Sequence, residues 1–282
     1  AKVQKEWLQQ QLDDFMVQSR WNHVQKEEAI TTSLIGLPIF DLPLLAYGSA
    51  ADPLFTELLQ PSAVGPQMLL PKHWLPGAKT VISIFYPFSE AVRCSNRGSA
   101  EPSAAWLHGR IEGQRFIEMA NRHLMACLEQ AGYLALAPAL DPRFRAAKGK
   151  ALAQQGPWQG QLFNSNWSER HAAYVCGLGT FGLSKGIITA KGMAGRLASI
   201  ITDAEFLPTP RPYRQIYEYC LQCGACAGNC PAQAIDLRQG KDHVACGQFI
   251  AETMVKFAPR YGCGKCQVGV PCEYQNPILQ SE

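Results

Sequence analysis

Four cysteines fall within eleven positions, in the run Cys220-Leu221-Gln222-Cys223-Gly224-Ala225-Cys226-Ala227-Gly228-Asn229-Cys230, and Pro231 follows. This C-x2-C-x2-C-x3-C-P spacing constrains the chain more than any other feature. Three cysteines at two-residue gaps wrap a loop around one iron–sulfur cube, with backbone N–H groups facing its sulfurs, and the fourth turns to a second cube. The fourth is predicted to start a helix with Pro231 in its first turn, where a missing N–H costs nothing. Zinc is the competing metal, but structural zinc sites pair two separated CxxC units and do not crowd four thiols into one run.

The remaining ligands must lie downstream. Cys246 stands alone, Cys263 and Cys266 form a CxxC, and Cys272 follows Val270-Pro271. Eight thiolates make two four-cysteine sites. In two-cluster chains the last cysteine of each run serves the other cube. That rule assigns Cys220, Cys223, Cys226 and Cys272 to one [4Fe–4S] cluster, and Cys230, Cys246, Cys263 and Cys266 to the other. A plain ferredoxin would repeat the first run, and this chain does not. Cys94, Cys127 and Cys176 are scattered over the earlier sequence. Two adjacent clusters make a relay, so the chain is expected to move electrons.

A relay needs a destination, and the 282 residues leave room for one. With 47% hydrophobic and 17% charged residues, the composition suits a sizeable core. The Pro-rich stretch Leu207–Pro212 marks an expected boundary between an α/β (α+β) domain, residues 1–207, and a ferredoxin-like domain, residues 208–282. A net charge of +3 is too mild to point to nucleic acid. No stretch is apolar enough to span a membrane, and the charged start Ala1–Arg20 has no apolar signal core. A cytoplasmic location is expected, and metal ligation is the better reading of the 11 cysteines than disulfides.

Periodicity predicts a helix from Val3 to Ser19, with Trp7, Leu8, Leu12, Phe15 and Met16 on one side. Thr80–Tyr86 reads as a buried strand. Ser103–Gln130 reads as a long helix in which two glycines, Gly109 and Gly113, imply a bend or a close backbone approach. In that helix, His108 and Arg110 are candidates to meet a cofactor or substrate. Tyr133–Ala137 reads as a strand and Ser168–Cys176 as a helix. Gly186–Ala190 and Leu197–Thr202 are predicted to form a hairpin about Lys191-Gly192.

Between that last helix and the hairpin runs Gly177-Leu178-Gly179-Thr180-Phe181-Gly182-Leu183-Ser184-Lys185. Gly177, Gly179 and Gly182 match G-x-G-x-x-G. A dinucleotide fingerprint, however, follows a strand and opens a helix, whereas this loop follows a helix and leads into a strand. The glycines imply that backbone closely approaches something flat or bulky. A helix C-cap followed by a tight turn is the structural alternative.

The segment Ser168–Thr202 followed by the cysteine run resembles the epoxyqueuosine reductases and the related reductive dehalogenases. Those proteins carry a helix, an AGLG-x-x-G-K loop, a strand hairpin and two clusters. The stretch Leu75-Pro76-Gly77-Ala78-Lys79-Thr80-Val81-Ile82 is similar to the family's LPGAKSVI strand entry, and the position of Cys246 fits as well. The resemblance covers roughly residues 70–275. It implies a cobalamin in a nitroreductase-like domain, held by Gly177, Leu178, Gly179, Phe181, Gly182 and Lys185 and reduced by the nearer cluster.

Three departures from that family shape the functional expectation. Asn164 stands about where an aspartate proton donor belongs, and an amide is no general acid. Tyr174 is the substitute donor. The chain stops ten residues after Cys272, so no helical-repeat tail for tRNA is expected, and CxxC-x5-C replaces CxxC-x3-C. The expected function is a cobalamin-dependent reductase of an unidentified small molecule, supplied with electrons by a ferredoxin or flavodoxin and not acting on tRNA. A corrinoid-binding electron-transfer or maturation protein, and a two-cluster carrier serving a redox partner protein, are the alternatives.

Overall fold

A computed structural model describes residues 3–148 and 163–279. The helices are α1 (Lys5–Gln18), α2 (Pro53–Glu57), α3 (Pro71–Trp74), α4 (Glu90–Ser95), α5 (Ala104–Gln130), α6 (Glu169–Cys176), α7 (Ala225–Gly228) and α8 (His243–Phe257). The strands are β1 (Leu44–Ser49), β2 (Thr80–Pro87), β3 (Ala135–Leu136), β4 (Ala146–Lys148), β5 (Phe163–Ser165), β6 (Gly179–Phe181), β7 (Ile187–Thr189), β8 (Gly195–Thr202), β9 (Ile235–Asp236) and β10 (Gly240–Lys241). Among the described residues, no helix is long and apolar enough to cross a membrane.

The main sheet has the order β1-β2-β8-β3, and every pair is antiparallel. Strand β2 is central and buried throughout, which is why its sequence is a continuous apolar run. Alternate side chains leave it for two separate cores. Ile82, Ile84 and Tyr86 pack with Leu8 and Leu12 of α1 and with Phe116 and Leu124 of α5. Val81 and Phe85 pack with Ala172, Ala173 and Cys176 of α6.

Helix α5 is capped by Ser103, which accepts from Trp106 N–H at 3.1 Å. It runs unbroken through both glycines. Side chains there would collide with neighbours: a Cβ on Gly109 would lie 2.7 Å from the Phe88 ring, and one on Gly113 2.8 Å from Phe40. Close packing, and not a bend, is their use.

The predicted hairpin does not form. Strand β7 pairs with β6, which the sequence had presented as loop, while β8 inserts beside β2 in the main sheet. The C-terminal segment forces the chain apart between them. Met193 and Ala194 N–H donate to the carbonyls of Cys272 and Glu273 at 2.9 and 3.0 Å. Gly192 (φ +74°) passes so close that a Cβ there would lie 2.3 Å from Glu273 O. The strand expected over Tyr133–Ala137 is limited to β3, because only Ala135 and Leu136 reach the far end of β8.

Candidate functional site

Two hollows receive the eight clustered cysteines, four each, and none lines both. The first is lined by Cys220, Cys223, Cys226 and Cys272, against Gly182, Ser184 and Met193. The second is lined by Cys230, Cys246, Cys263 and Cys266 and opens toward α5 and the start of β8. Cys94, Cys127 and Cys176 line neither, and the last two are buried in the body of the fold.

Local backbone geometry presents these thiols. Gly224 (φ +75°) turns the chain after Cys223, and the single turn of α7 then places Cys226. Gly264 (φ +71°) does the same after Cys263. Asp242 caps α8, accepting from Val244 and Ala245 N–H at 2.7 and 3.1 Å, which sets Cys246 in its first turn. No helix opens at Pro231, contrary to the spacing-based expectation. Gln233 (φ +49°) instead turns the chain into β9, and Ala234 N–H donates to Cys230 Sγ at 3.3 Å.

These segments are pinned to the main sheet's surroundings. Buried Glu273, next to Cys272, receives Arg93 at 3.1 Å, Arg97 at 2.7 Å and Gly269 N–H at 2.6 Å. Arg260 binds Glu112 of α5 at 2.6 Å, and His108 binds the same carboxylate at 3.1 Å. Lys265 donates to Asn96 O at 2.7 Å while Asn96 Nδ2 donates to Cys263 O at 2.9 Å. His108 therefore serves an anchor and does not reach either hollow, whereas Arg110 lines the second.

Among the described residues, no three His, Cys, Asp or Glu side chains are grouped as a single metal ion would need. Four sulfurs on one zinc crowd together, because each lies about 2.3 Å from the ion. Four ligands of a cube sit on four different irons and stand farther apart. Burial pushes the free thiols up, Cys226 and Cys263 to about 11 and Cys272 to about 12, and the neighbouring thiols add to this. A bound metal would displace those protons.

The two linings differ sharply in charge. Among the described residues, no charged residue lines the first. Arg110, Arg170, Arg196 and Lys241 line the second, and among the described residues no carboxylate does. Burial, with Arg110 beside it, pulls the Arg196 guanidinium down to about 9, so it stays a cation at neutral pH. Sequence reading reached Arg110 but missed Arg170 and Arg196. A signal for Arg196 existed, since an arginine interrupts the otherwise apolar run of β8.

The glycine loop turns out to be filled by the chain itself. Gly177 (φ +95°) is the left-handed cap of α6. A Cβ on Gly179 would lie 1.9 Å from Ile188 O across the β6–β7 pair, and one on Gly177 3.2 Å from Pro210 O. Gly182, which borders the first hollow, packs against Ile188. Leu178 and Phe181 are core residues, and the Lys185 ammonium bonds the Tyr217 hydroxyl and lies over that ring. These glycines and apolar residues are thus engaged by the chain itself.

The two proton-donor candidates also have structural occupations. Asn164, in β5, donates to Val64 O at 2.6 Å and accepts from Ser165 N–H at 2.8 Å. Tyr174 lines neither hollow and packs on Tyr213 at 5.1 Å between ring centroids. An acid unnoticed in the sequence is Glu169. Both its carboxyl oxygens are buried beside the Trp167 and Ser199 side chains, which share a hydrogen bond of 2.8 Å and offset part of the carboxyl's desolvation. Desolvation raises it to about 7.

No sequence family and no curated protein matches the chain. Solved structures do match in fold. An epoxyqueuosine reductase determined with an epoxyqueuosine-modified tRNA-Tyr stem loop is 18% identical, with a TM-score of 0.51 over 95% of this chain and 66% of that one. The catabolic reductive dehalogenase NpRdhA in complex with 3-bromo-4-hydroxybenzoic acid is 13% identical, with a TM-score of 0.54 over 84% of this chain and 30% of that one. The chain thus spans just under two thirds of the first and under a third of the second, and it shares their fold.

Proposed function

We propose that this chain is an iron–sulfur reductase module holding a [4Fe–4S] cluster in each hollow, with Cys220, Cys223, Cys226 and Cys272 in the first and Cys230, Cys246, Cys263 and Cys266 in the second. One observation carries the reading: eight cysteines separated by up to 52 residues divide into two disjoint sets of four, each around its own hollow. When bound, such clusters supply one-electron transfer. The chain's own residues hold them in place through the Glu273, Arg260 and Lys265 anchors and make their surroundings unequal.

The first hollow lies toward the surface. Leu221, Gln222 and Cys223 are exposed at its rim. That rim suits a small electron-donor protein such as a ferredoxin or flavodoxin. The second faces Trp106 and Phe88, an apolar wall against which a small molecule could lie. A small-molecule substrate in place of tRNA is also supported by Asn164, whose amide is committed to Val64 and Ser165 and cannot donate a proton as an acid. No step is assigned to a corrinoid.

Anaerobic reconstitution with iron and sulfide tests the reading. About eight irons per chain are expected from two four-iron clusters. Saturation at half that value, or stoichiometric zinc, would overturn it. The exposed rim also favours a second reading, a carrier that only passes electrons between proteins. Reduced protein that fails to turn over any small acceptor, yet exchanges electrons rapidly with a ferredoxin, would select that reading.

A further inference from the structure

Several of the chain's arginines meet a carboxylate. Arg93 and Arg97 meet Glu273, Arg143 meets Asp141, Arg211 meets Asp52, and Arg260 meets Glu112. Among the described residues, Arg110, Arg170, Arg196 and Lys241 form no ion pair with a carboxylate. All four line the second hollow, a cavity of about 200 Å³. They arrive from separate elements, α5, α6, β8 and β10, so the convergence is a property of the fold and not of one basic stretch.

Their hydrogen-bonding capacity is also unspent. The Nε atoms of Arg110 and Arg196 are buried without a partner. Arg196 offers only its Nη2 to Gln114 Oε1, and Arg110 rests its guanidinium 4.6 Å from the centre of the Tyr261 ring. Buried N–H donors facing a cavity are costly unless something accepts from them.

This inference rests on the cluster reading above. A [4Fe–4S] core with four thiolates carries a net charge of about −2 when oxidised and about −3 when reduced. Four cations against that leave about two positive charges, or about one after reduction, without a counterion in the hollow. The cluster therefore does not exhaust the cations. Guanidinium forks match the paired oxygens of a carboxylate or phosphate, and neighbouring like charges hold such a group more tightly. Trp106, Phe88 and Phe249 add an apolar wall beside the arginines.

We infer that the second hollow binds a small oxyanion, the carboxylate or phosphate group of the module's substrate, through Arg110, Arg170 and Arg196 beside the second cysteine set. The substrate class is thus an acidic small molecule whose body lies against the aromatic wall. The arginines are binding residues, and the anion's head sets which part of the molecule faces the cysteines.

Calorimetric titration of inorganic phosphate and of benzoate into the full chain, reconstituted anaerobically and assayed for iron beforehand, tests this. One saturable site is expected for at least one probe. Preference for phosphate assigns a phosphate head, and preference for benzoate a carboxylate on an apolar body. Arg110→Gln and Arg196→Gln should each weaken binding by at least about ten-fold, the effect of losing a charge-assisted hydrogen bond. Arg143→Gln, at a distant ion pair, should leave it unchanged. Iron content and circular dichroism equal to the parent certify each variant, and Arg196→Lys, which keeps charge and loses the fork, should fall between. Absence of saturable binding in iron-loaded protein, indifference to the arginine variants, or binding only when iron is absent would each overturn the proposal. A chain that takes up no iron defeats the cluster reading alone, and the arginine dependence of anion binding is then measured on that same protein.

Discussion

The two hollows are built from the same thiol chemistry, yet they differ in charge. The first has no charged residue in its lining and an exposed rim at Leu221–Cys223. The second is walled by four cations that come from α5, α6, β8 and β10. Four cysteines alone thus fix what can be held, while the neighbouring residues fix how readily an electron would rest there. Positive charge favours the reduced, more negative cluster, so the geometry makes the second hollow the expected sink.

The partition of cysteines is the part of this contrast that can be broken most visibly. Cys226→Ser and Cys272→Ser should each lose about half the iron and the same electron paramagnetic signal, whereas Cys246→Ser and Cys266→Ser should lose the other signal. If Cys272→Ser removed the signal that depends on Cys246, the two sets would be misassigned.

The left-handed glycines sharpen the contrast next. A Cβ on Gly264 would lie 1.9 Å from the Trp106 ring, but one on Gly224 meets only Leu237 side-chain atoms at 3.6 Å. Both substitutions to alanine pay about 1–2 kcal/mol for the backbone conformation. Gly264→Ala must also displace a buried tryptophan. Thermal unfolding and iron assays should therefore show a severe loss at the second hollow and a mild one at the first.

Helix α6 separates stability from charge tuning in two adjacent residues. Glu169 is buried beside the main sheet and Arg170 lines the second hollow. The folded carboxyl keeps its proton up to about pH 7, against an ordinary value of 4.5, so the folded state binds more protons across that window. Stability should fall as pH rises from about 4.5 through 7, by at most roughly 3 kcal/mol. Denaturant unfolding of Glu169→Gln should show a flatter pH profile with both cluster signals intact. An unchanged slope would show that Glu169 is not the titrating group.

The smallest expected effect is on potential. Arg170→Gln should lower the potential of the second cluster by roughly tens of millivolts, the size of one charge acting over several ångströms at an effective dielectric near 20. The first cluster should not move. Equal shifts in redox titrations of both would mean that the two environments are not electrically distinct.

Much of this protein was legible in its residues. The apolar run of β2 and the stripe Leu8, Leu12, Met16 act through neighbours a few positions away, and sequence displays such neighbours directly. The glycine loop misled for the same reason. Gly177 and Gly179 announce close approach, but the partners they approach, Pro210 and Ile188, are named only by the fold. The hairpin expected about Lys191-Gly192 failed because Cys272 and Glu273, some 80 residues on, take the hydrogen bonds of Met193 and Ala194.

By itself the sequence determined the thiol chemistry on offer: eight clustered cysteines, four of them in a run whose spacing suits a cube. Only the tertiary structure brought Arg110, Arg170, Arg196 and Lys241 to one of the two hollows and left the other without charge. Spacing acts over a single turn of chain, whereas the charge of a cavity is summed over elements that meet only when the sheet, α5 and the cysteine segments pack.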